Sequence, residues 1–234
     1  MIPVAILAGG LATRLGSVTE KIPKSLVEIA GEPFVAHQLR GLRAAGVESV
    51  VFCIGHLGEQ VEEFVGDGST FGLEVAYSSD GDKLLGTGGA LRRALPQLGE
   101  RFFVLYGDSY LEADFEAVAR AHTNSAKLGL MTVLENHDQW DRSNVLFEHG
   151  CIVRYDKTQN EGMRHIDWGL GVLSHAAFAE APSADAFDLP TLYRRLLQLD
   201  QLAGFEVDRR FYEIGSVQGI RETTEHLLTK RTPH

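Results

Sequence analysis

The stretch Val4-Ala5-Ile6-Leu7-Ala8-Gly9-Gly10 places five apolar residues before a pair of glycines. A short apolar run of this kind predicts a buried strand, and the glycines let two backbone amides approach an anion with no Cβ in the way. Arg14 and Lys24 follow, and both side chains suit phosphate oxygens. The pattern matches neither a Walker A loop nor the dinucleotide fingerprint. It predicts a strand followed by a polyphosphate-binding loop, with an ordinary charged surface turn as the alternative.

Strand and helix patterns alternate through the first half of the chain. The run Ser49–Ile54 is rich in β-branched residues, as expected for a strand buried on both faces. Further strands are predicted at 73–78 and 101–106, and helices at 33–45, 58–65 and 88–98. Because strands alternate with helices, the sequence predicts an α/β fold with a parallel sheet covered on both sides.

Beyond about residue 127 the pattern changes to successive strands with few helices between them. Strands are predicted at 130–135, 144–147, 152–156 and 166–173, with a hairpin turn at Glu148-His149-Gly150. Amphipathic helices are predicted at 189–199 and 217–228. Since there is no internal repeat or low-complexity linker, we expect residues 1–234 to form one domain whose second part is more antiparallel.

Composition narrows the class of protein. The 234 residues are 44% hydrophobic, and 22 basic against 32 acidic side chains give a net charge of -10. An acidic surface argues against nucleic acid and against an anionic membrane as partners. No apolar run approaches the ~20 residues of a membrane span, and no leader pattern is recognised, so a cytoplasmic protein is expected. Cys53 and Cys151 are predicted to be buried thiols, and no histidine or cysteine spacing suggests a structural zinc site.

Two motifs in the first half suit ligand binding. The glycines of Leu85-Gly86-Thr87-Gly88-Gly89-Ala90 would let backbone approach a ligand ring, and the following helix N-terminus favours negative charge. A tight strand-to-helix connection explains this run equally well. Asp108 ends the apolar run 102–107, at the edge where open α/β sheets bind ligands, and could supply an oxygen to a hard cation. A turn aspartate is the alternative reading.

Three charged residues late in the chain end strand patterns. Lys157 could pair with an anionic substrate or lie exposed in solvent. Asp167 begins the segment Asp167-Trp168-Gly169. Glu213 could complete a metal site with Asp108, and a solvated strand-end carboxylate is the alternative.

Taken in order, these motifs resemble the sugar-1-phosphate nucleotidyltransferases, from Val4 to about Thr223. The resemblance implies a Rossmann-like, mostly parallel mixed sheet with helices on both faces, of the nucleotide-diphospho-sugar transferase type. It implies a nucleotide-binding part at about 1–126 and a sugar-binding part at about 127–234. The implied partners are a nucleoside triphosphate and a sugar 1-phosphate, with Mg²⁺ as cofactor. No nucleic acid or membrane partner is implied, and a homo-oligomer is left open.

The resemblance also assigns residues to roles. It gives catalytic roles to Arg14, Lys24 and Asp108, and metal binding to Asp108 and Glu213. Nucleotide binding is assigned to Leu7, Ala8, Gly9, Gly10, Thr13, Arg14, Lys24, Gly86, Thr87, Gly88 and Gly89. Sugar-phosphate binding is assigned to Lys157, Asp167, Gly169 and Asn144, although a solvated loop before a strand is the favoured interpretation of the segment that contains Asn144. The chain departs from the family pattern at Asp167, where an asparagine is usual, and at Glu213, where an aspartate is usual.

The substrates are less closely specified. The short chain, the Leu85–Ala90 run and the segment Gly66–Gly72 look most like guanylyltransferases acting on manno-configured heptose or mannose 1-phosphates, which implies GTP. A uridylyltransferase acting on a hexose or amino-sugar 1-phosphate is the alternative within this class. A regulatory module that binds a sugar nucleotide without turnover is the alternative outside it. A nicotinamide-dependent oxidoreductase is excluded because the dinucleotide fingerprint is missing.

Overall fold

The computed structural model describes residues 1–10 and 21–231. The α-helices of this part are α1 (Phe34–Ala44), α2 (Gly58–Val65), α3 (Gly86–Leu98), α4 (Phe115–Ser125), α5 (Leu189–Gln198) and α6 (Val217–Arg231). Its strands are β1 (Val4–Leu7), β2 (Glu28–Ile29), β3 (Glu32–Pro33), β4 (Ser49–Ile54), β5 (Glu74–Ser79), β6 (Arg101–Tyr106), β7 (Ser109–Tyr110), β8 (Gly129–Glu135), β9 (Val145–Glu148), β10 (Cys151–Tyr155), β11 (His165–Ser174), β12 (Leu202–Val207) and β13 (Tyr212–Glu213).

One mixed sheet contains nine of the described strands, and β1 lies near its centre. Strands β6, β1, β4 and β5 are neighbours in that order and run parallel. Strand β11 pairs antiparallel with both β6 and β8, and thereby joins the second half of the chain to the first. The hairpin of β9 and β10 pairs with the start of β11, and β12 runs parallel to β8. The predicted α/β class, with a more antiparallel second part, is confirmed.

Apolar side chains on both faces of the strands explain the layering. In β1, Val4 and Ile6 point into a core formed with α1, α2 and α4, whereas Ala5 points into a core formed with α3 and α5. This alternation follows from the two-residue repeat of a strand. A strand covered by helices on both faces needs apolar residues at every position, which is why these strands appear as unbroken apolar runs.

The structure corrects several boundaries and adds elements that were not predicted, namely α4, β12 and the two-residue strands β2, β3 and β7. Helix α3 begins at Gly86 and not at residue 88, and α6 continues to Arg231. Helix α4 was not predicted, although Asp114 is its N-cap and accepts a hydrogen bond from the backbone of Ala117 at 2.9 Å. Strand β12 was also missed. Of the two cysteines, Cys53 is buried as expected but Cys151 is exposed, because it begins an outer strand of the hairpin.

The carboxyl ends of the central strands approach one another through glycines. A Cβ on Gly107 would lie 2.6 Å from the carbonyl oxygen of Leu7, and a Cβ on Gly55 would lie 2.9 Å from that of Gly9. Larger residues would push the strand ends apart. A cleft lies immediately beyond the ends of β1, β4 and β6.

No helix within residues 1–10 and 21–231 has the length and apolarity needed to cross a bilayer.

Candidate active site

A cavity of about 290 Å³ opens at the carboxyl ends of β1, β4 and β6. This is the edge at which open α/β sheets bind their ligands. Predicted nucleotide-binding residues that line it are Leu7, Ala8, Gly9, Gly10, Lys24, Gly86 and Thr87, and Asp108 lies on its wall as well. Thr13 and Arg14 lie outside the described residues.

Lys24 and Asp108 meet in this cavity. Lys24 begins a short 3₁₀ turn after Pro23, and Asp108 follows β6. The ammonium Nζ donates a hydrogen bond to Asp108 Oδ2 at 2.9 Å, with the two side chains 20% and 36% exposed. The fold thus brings two predicted catalytic residues into contact.

Glu213 reaches the same point from the end of the chain. Strand β13 pairs antiparallel with β7, so that Glu213 lies opposite Ser109, and the backbone N–H of Ile214 donates to the carbonyl of Asp108 at 3.0 Å. A Cβ on Gly215 would lie 2.7 Å from Glu213 Oε2 and 3.4 Å from Asp108 Oδ2. Both carboxylates therefore lie close to Gly215.

The donor set suits a hard divalent cation. Asp108 and Glu213 offer carboxylate oxygens, which Mg²⁺ prefers, and Mg²⁺ usually takes its remaining ligands from phosphates and water. No group of three or more His, Cys, Asp or Glu that could hold a metal occurs within the described ranges. The described cavity wall carries three carboxylates (Asp80, Asp108 and Asp188) and one ammonium. Such a wall would repel a triphosphate unless further positive charge entered with it.

Lys157 lies beside Tyr106. Its Nζ is 5.5 Å from the centroid of the Tyr106 ring, a cation–π distance, and the same ring lines the cavity. Lys157 follows β10, in the part of the chain predicted to bind sugar. The structure therefore places it beside Tyr106, a residue of the cavity wall, although Lys157 is not itself among the lining residues.

Asp167 and Asn144 form a hydrogen-bonded unit in the predicted sugar-binding part. The carboxylate of Asp167 accepts from Tyr155 Oη at 3.2 Å and from the backbone of Gly169 at 3.1 Å. The side-chain oxygen of Asn144 accepts from the backbone N–H of Asp167 at 2.8 Å. Asn144 is 8% exposed, so the interpretation as a solvated loop is wrong for this side chain. Gly169 has φ +97° in a bulge of β11, and a Cβ on it would lie 3.3 Å from Oγ of Ser109, the residue after Asp108.

The glycine-rich start of α3 has a structural role that the sequence reasoning understated. The backbone N–H groups of Gly88 and Gly89 donate to the carbonyl of Phe187 at 2.9 and 3.0 Å, and that of Thr87 donates to Asp188 Oδ1 at 3.4 Å. A Cβ on Gly88 would lie 2.2 Å from the Phe187 ring. This helix N-terminus is therefore capped by protein, and Gly88 and Gly89 are not in the cavity wall.

Comparison with known proteins identifies the family. The model of the nucleotidyl transferase family matches residues 4–149, more than half of the chain. The chain belongs to this family. It is 39% identical to N-acetylmuramate alpha-1-phosphate uridylyltransferase of Neisseria meningitidis, over 93% of this chain and 94% of that protein. The resemblance predicted from the motifs is thus confirmed, and the chain is an enzyme.

Two other similarities concern guanine nucleotides. The chain is 33% identical to the mannose-1-phosphate guanylyltransferase catalytic subunit beta of Drosophila melanogaster over 72% of its own length, and it spans 47% of that longer protein. The crystal structure of HddC from Yersinia pseudotuberculosis, complexed with GMP-PN, superposes with a TM-score of 0.81 at 25% identity, covering 97% of this chain and 100% of that one. The predicted nucleotide-diphospho-sugar transferase fold is confirmed.

Asp80 is a cavity residue of this nucleotidyl transferase that the sequence analysis missed. It follows β5 and is 6% exposed. Its Oδ2 accepts from the backbone of Leu85 at 3.1 Å, whereas its Oδ1 is buried without a hydrogen-bond partner among the described residues. Burial raises the pKa of this carboxyl group. The rule that pointed to Asp108, a carboxylate directly after a strand, would also have found Asp80.

Three tyrosines surround Asp167. Burial and, after it, the negative charge of Asp167 raise the pKa of Tyr106, Tyr155 and Tyr193 above that of an ordinary phenol. The Tyr155 hydroxyl donates to Asp167 Oδ2. The phenol oxygen of Tyr106 is buried without a partner in the described part of the chain. Of the three tyrosines, Tyr106 lines the cavity.

Proposed function

We propose that this sugar-1-phosphate nucleotidyltransferase uses UTP and an amino-sugar 1-phosphate, forming a UDP-sugar and releasing pyrophosphate. The observation that supports this site most directly is the convergence of Lys24, Asp108 and Glu213 on Gly215, next to the cavity that Lys24 and Asp108 line. One ammonium and two carboxylates at one point suit a metal-bound polyphosphate, and a site for an uncharged ligand would have little use for them.

The reaction in this proposal is an in-line displacement at the α-phosphorus. A phosphate oxygen of the sugar 1-phosphate attacks, a new P–O bond forms, and the bond to pyrophosphate breaks. The nucleophile is already ionised near neutral pH, so no general base is needed and positioning supplies most of the catalysis. Mg²⁺ held by Asp108 and Glu213 would neutralise negative charge on the phosphates.

Basic side chains have separate tasks in this mechanism. Lys24 leaves Asp108 and donates to the α-phosphate and the departing pyrophosphate, a role that the resemblance also gives to Arg14. Lys157 holds the sugar phosphate beside the Tyr106 ring. In this proposal each lysine binds one of the two reacting phosphates.

Asp80 supports a preference for particular bases. Asp80 lines the cavity, and its Oδ1 is a buried acceptor without a hydrogen-bond partner among the described residues, which is costly to leave unpaired. Uracil and guanine both present a ring N–H to such an acceptor, whereas cytosine and adenine have a bare ring nitrogen at the corresponding place. Asp80 therefore favours UTP and GTP over CTP and ATP.

Between these two bases, the comparison over nearly the full length of both chains favours UTP, because that relative is an N-acetylmuramate alpha-1-phosphate uridylyltransferase. The second candidate is GTP with a manno-configured sugar 1-phosphate, as the sequence motifs suggested. The similarity to HddC complexed with GMP-PN favours this alternative.

A pyrophosphate-release assay distinguishes the candidates. GTP, UTP, CTP, ATP and dTTP are each paired with N-acetylmuramate, N-acetylglucosamine, mannose and heptose 1-phosphates, and the nucleotide sugar is identified by mass spectrometry. Release with UTP and an amino-sugar 1-phosphate supports the proposal, and release only with GTP and a manno-configured sugar supports the second candidate. Release with none of the pairs would favour a module that binds sugar nucleotides without turnover.

A further inference from the structure

A buried amide on α1 holds the turn that presents Asp108. Gln38 is 3% exposed, and its Nε2 donates to the carbonyl of Tyr106 at 3.2 Å and to that of Ser109 at 2.9 Å. These two carbonyls flank the Gly107-Asp108 turn on both sides. Because both acceptors are carbonyl oxygens, the amide must present its NH₂ group to them, which leaves its own oxygen buried without a partner among the described residues.

Backbone hydrogen bonds with other segments hold the main chain of Gly107 and Asp108, whereas Lys24 binds the Asp108 side chain. The N–H of Gly107 donates to Leu7 at 3.0 Å, and the carbonyl of Asp108 accepts from Ile214 at 3.0 Å. Gln38 is therefore the side chain that completes the hydrogen bonding of this turn. It lies more than 60 residues away in sequence, in none of the motifs that resemble the family.

The residue before Gln38 on α1, His37, binds the chain segment that carries Lys24, the partner of Asp108. His37 is 7% exposed, and its Nε2 lies 2.8 Å from the carbonyl of Ile29, to which it donates. Ile29 ends the segment that begins with Lys24. Two consecutive buried polar residues of one helix thus bind the chain segments that contribute Lys24 and Asp108.

We infer that Gln38 is a positioning residue, which fixes the direction of the Asp108 carboxylate toward Gly215 and so sets the affinity for the metal-bound phosphates. This inference rests on the proposed role of Asp108. A buried amide that served stability alone would affect the folded state without changing metal affinity. The two roles therefore differ in a measurable quantity.

The test compares Gln38→Met with wild type. Methionine keeps the length of the side chain and removes both donors. Gln97→Met is the matched control, since Gln97 is a helical glutamine that donates to the carbonyl of Tyr77 in strand β5, away from Asp108. Mn²⁺ binding is measured by electron paramagnetic resonance with inorganic pyrophosphate present, a probe that does not depend on the base. Asp108→Asn is measured in parallel.

We expect Gln38→Met to weaken Mn²⁺ binding and to lower kcat by about 10-fold each, as is typical for partners of metal ligands, with KM for the sugar 1-phosphate unchanged. Gln97→Met should match wild type. If Asp108→Asn loses Mn²⁺ while Gln38→Met binds it normally, the inference is wrong, whatever the change in Tm. If Asp108→Asn itself binds Mn²⁺ normally, the proposed function of Asp108 fails instead.

A second variant covers the case in which Gln38→Met does not fold. In Gln38→Glu, the ionised carboxylate would face two carbonyl oxygens, whereas the protonated acid could still donate to one of them. We expect its activity relative to wild type to fall as the pH rises. A ratio that stays constant from pH 5 to pH 9 would overturn the inference.

Discussion

The Lys24 ammonium and the Asp108 carboxylate lie 2.9 Å apart, joined across 84 residues of sequence. The pair is partly exposed in the cavity, so its contribution to stability is small and its partners are exchangeable. In the proposed mechanism, this lysine would transfer from Asp108 to a phosphate oxygen when a metal binds the carboxylate, and the ion pair would keep both groups oriented until then.

Replacing Lys24 tests this exchange. We expect Lys24→Ala to lower kcat by ~10²-fold or more, the effect of losing one donor to a developing charge. Lys21→Ala is the control, because Lys21 is an exposed lysine only three residues earlier. Steady-state kinetics at saturating substrate measures the effect. Equal turnover of the Lys24 variant and the Lys21 control would contradict the assigned role.

Glu213 provides a test of the metal site. Glu213→Gln keeps the size of the side chain, and its amide can still accept from Ser216, but it removes the negative charge beside Asp108. We expect the Mg²⁺ concentration for half-maximal activity to rise by about 10-fold, in the range typical of a perturbed metal site. Glu213→Asp, the carboxylate that the family resemblance leads one to expect, should retain most activity. An unchanged Mg²⁺ requirement in Glu213→Gln would remove Glu213 from the site.

Lys157 is expected to act on one substrate only. Lys157→Ala should raise KM for the sugar 1-phosphate by about 10-fold or more, the loss of one charge-assisted contact, and leave KM for the nucleotide within twofold. Arg154→Ala is the matched control on the same hairpin, since its guanidinium donates to the carbonyl of Glu161 and not toward Tyr106. A rise in the nucleotide KM with a normal sugar KM would show that the two lysines have been assigned to the wrong phosphates.

The sequence predicted the central strands, because a strand covered on both faces must be apolar at each position, and it predicted Asp108 from its place after β6. It could not show that Gly88 lies against the Phe187 ring and that Gly89 donates to the Phe187 carbonyl, since these contacts join residues about 100 positions apart. Gln38 was missed for a related reason. A glutamine within an amphipathic helix looks like a solvent-facing residue, and only the folded chain shows that it binds the Asp108 turn.

A cluster of charges around Glu112 is expected to make stability depend on pH. Burial acts to raise the pKa of Glu112, but hydrogen bonds from Lys230 and His226 outweigh it and lower that pKa below the ordinary 4.5. A carboxyl group whose pKa is lowered by folding stabilises the protein above its unfolded pKa, and this stabilisation is lost as pH falls through the folded value. The difference in unfolding free energy between wild type and Glu112→Gln should therefore shrink below about pH 4.5. Urea unfolding at pH 7 and at lower pH measures it, and a constant difference would contradict the assignment.

Asp80 offers a reversal of base preference. In Asp80→Asn, the side-chain oxygen is retained by the backbone N–H of Leu85, so the NH₂ group takes the place of the unpartnered, buried Oδ1. A donor there would oppose the ring N–H of uracil and would pair with the bare ring nitrogen of cytosine. We expect kcat/KM for UTP to fall by 10-fold or more while the value for CTP rises, because an unpaired buried donor costs about 1–3 kcal/mol. Asp82→Asn, an exposed aspartate two residues later, should leave both values unchanged. If Asp80→Asn lowers kcat/KM for both nucleotides equally, Asp80 contributes to the shape of the cavity and does not read the base.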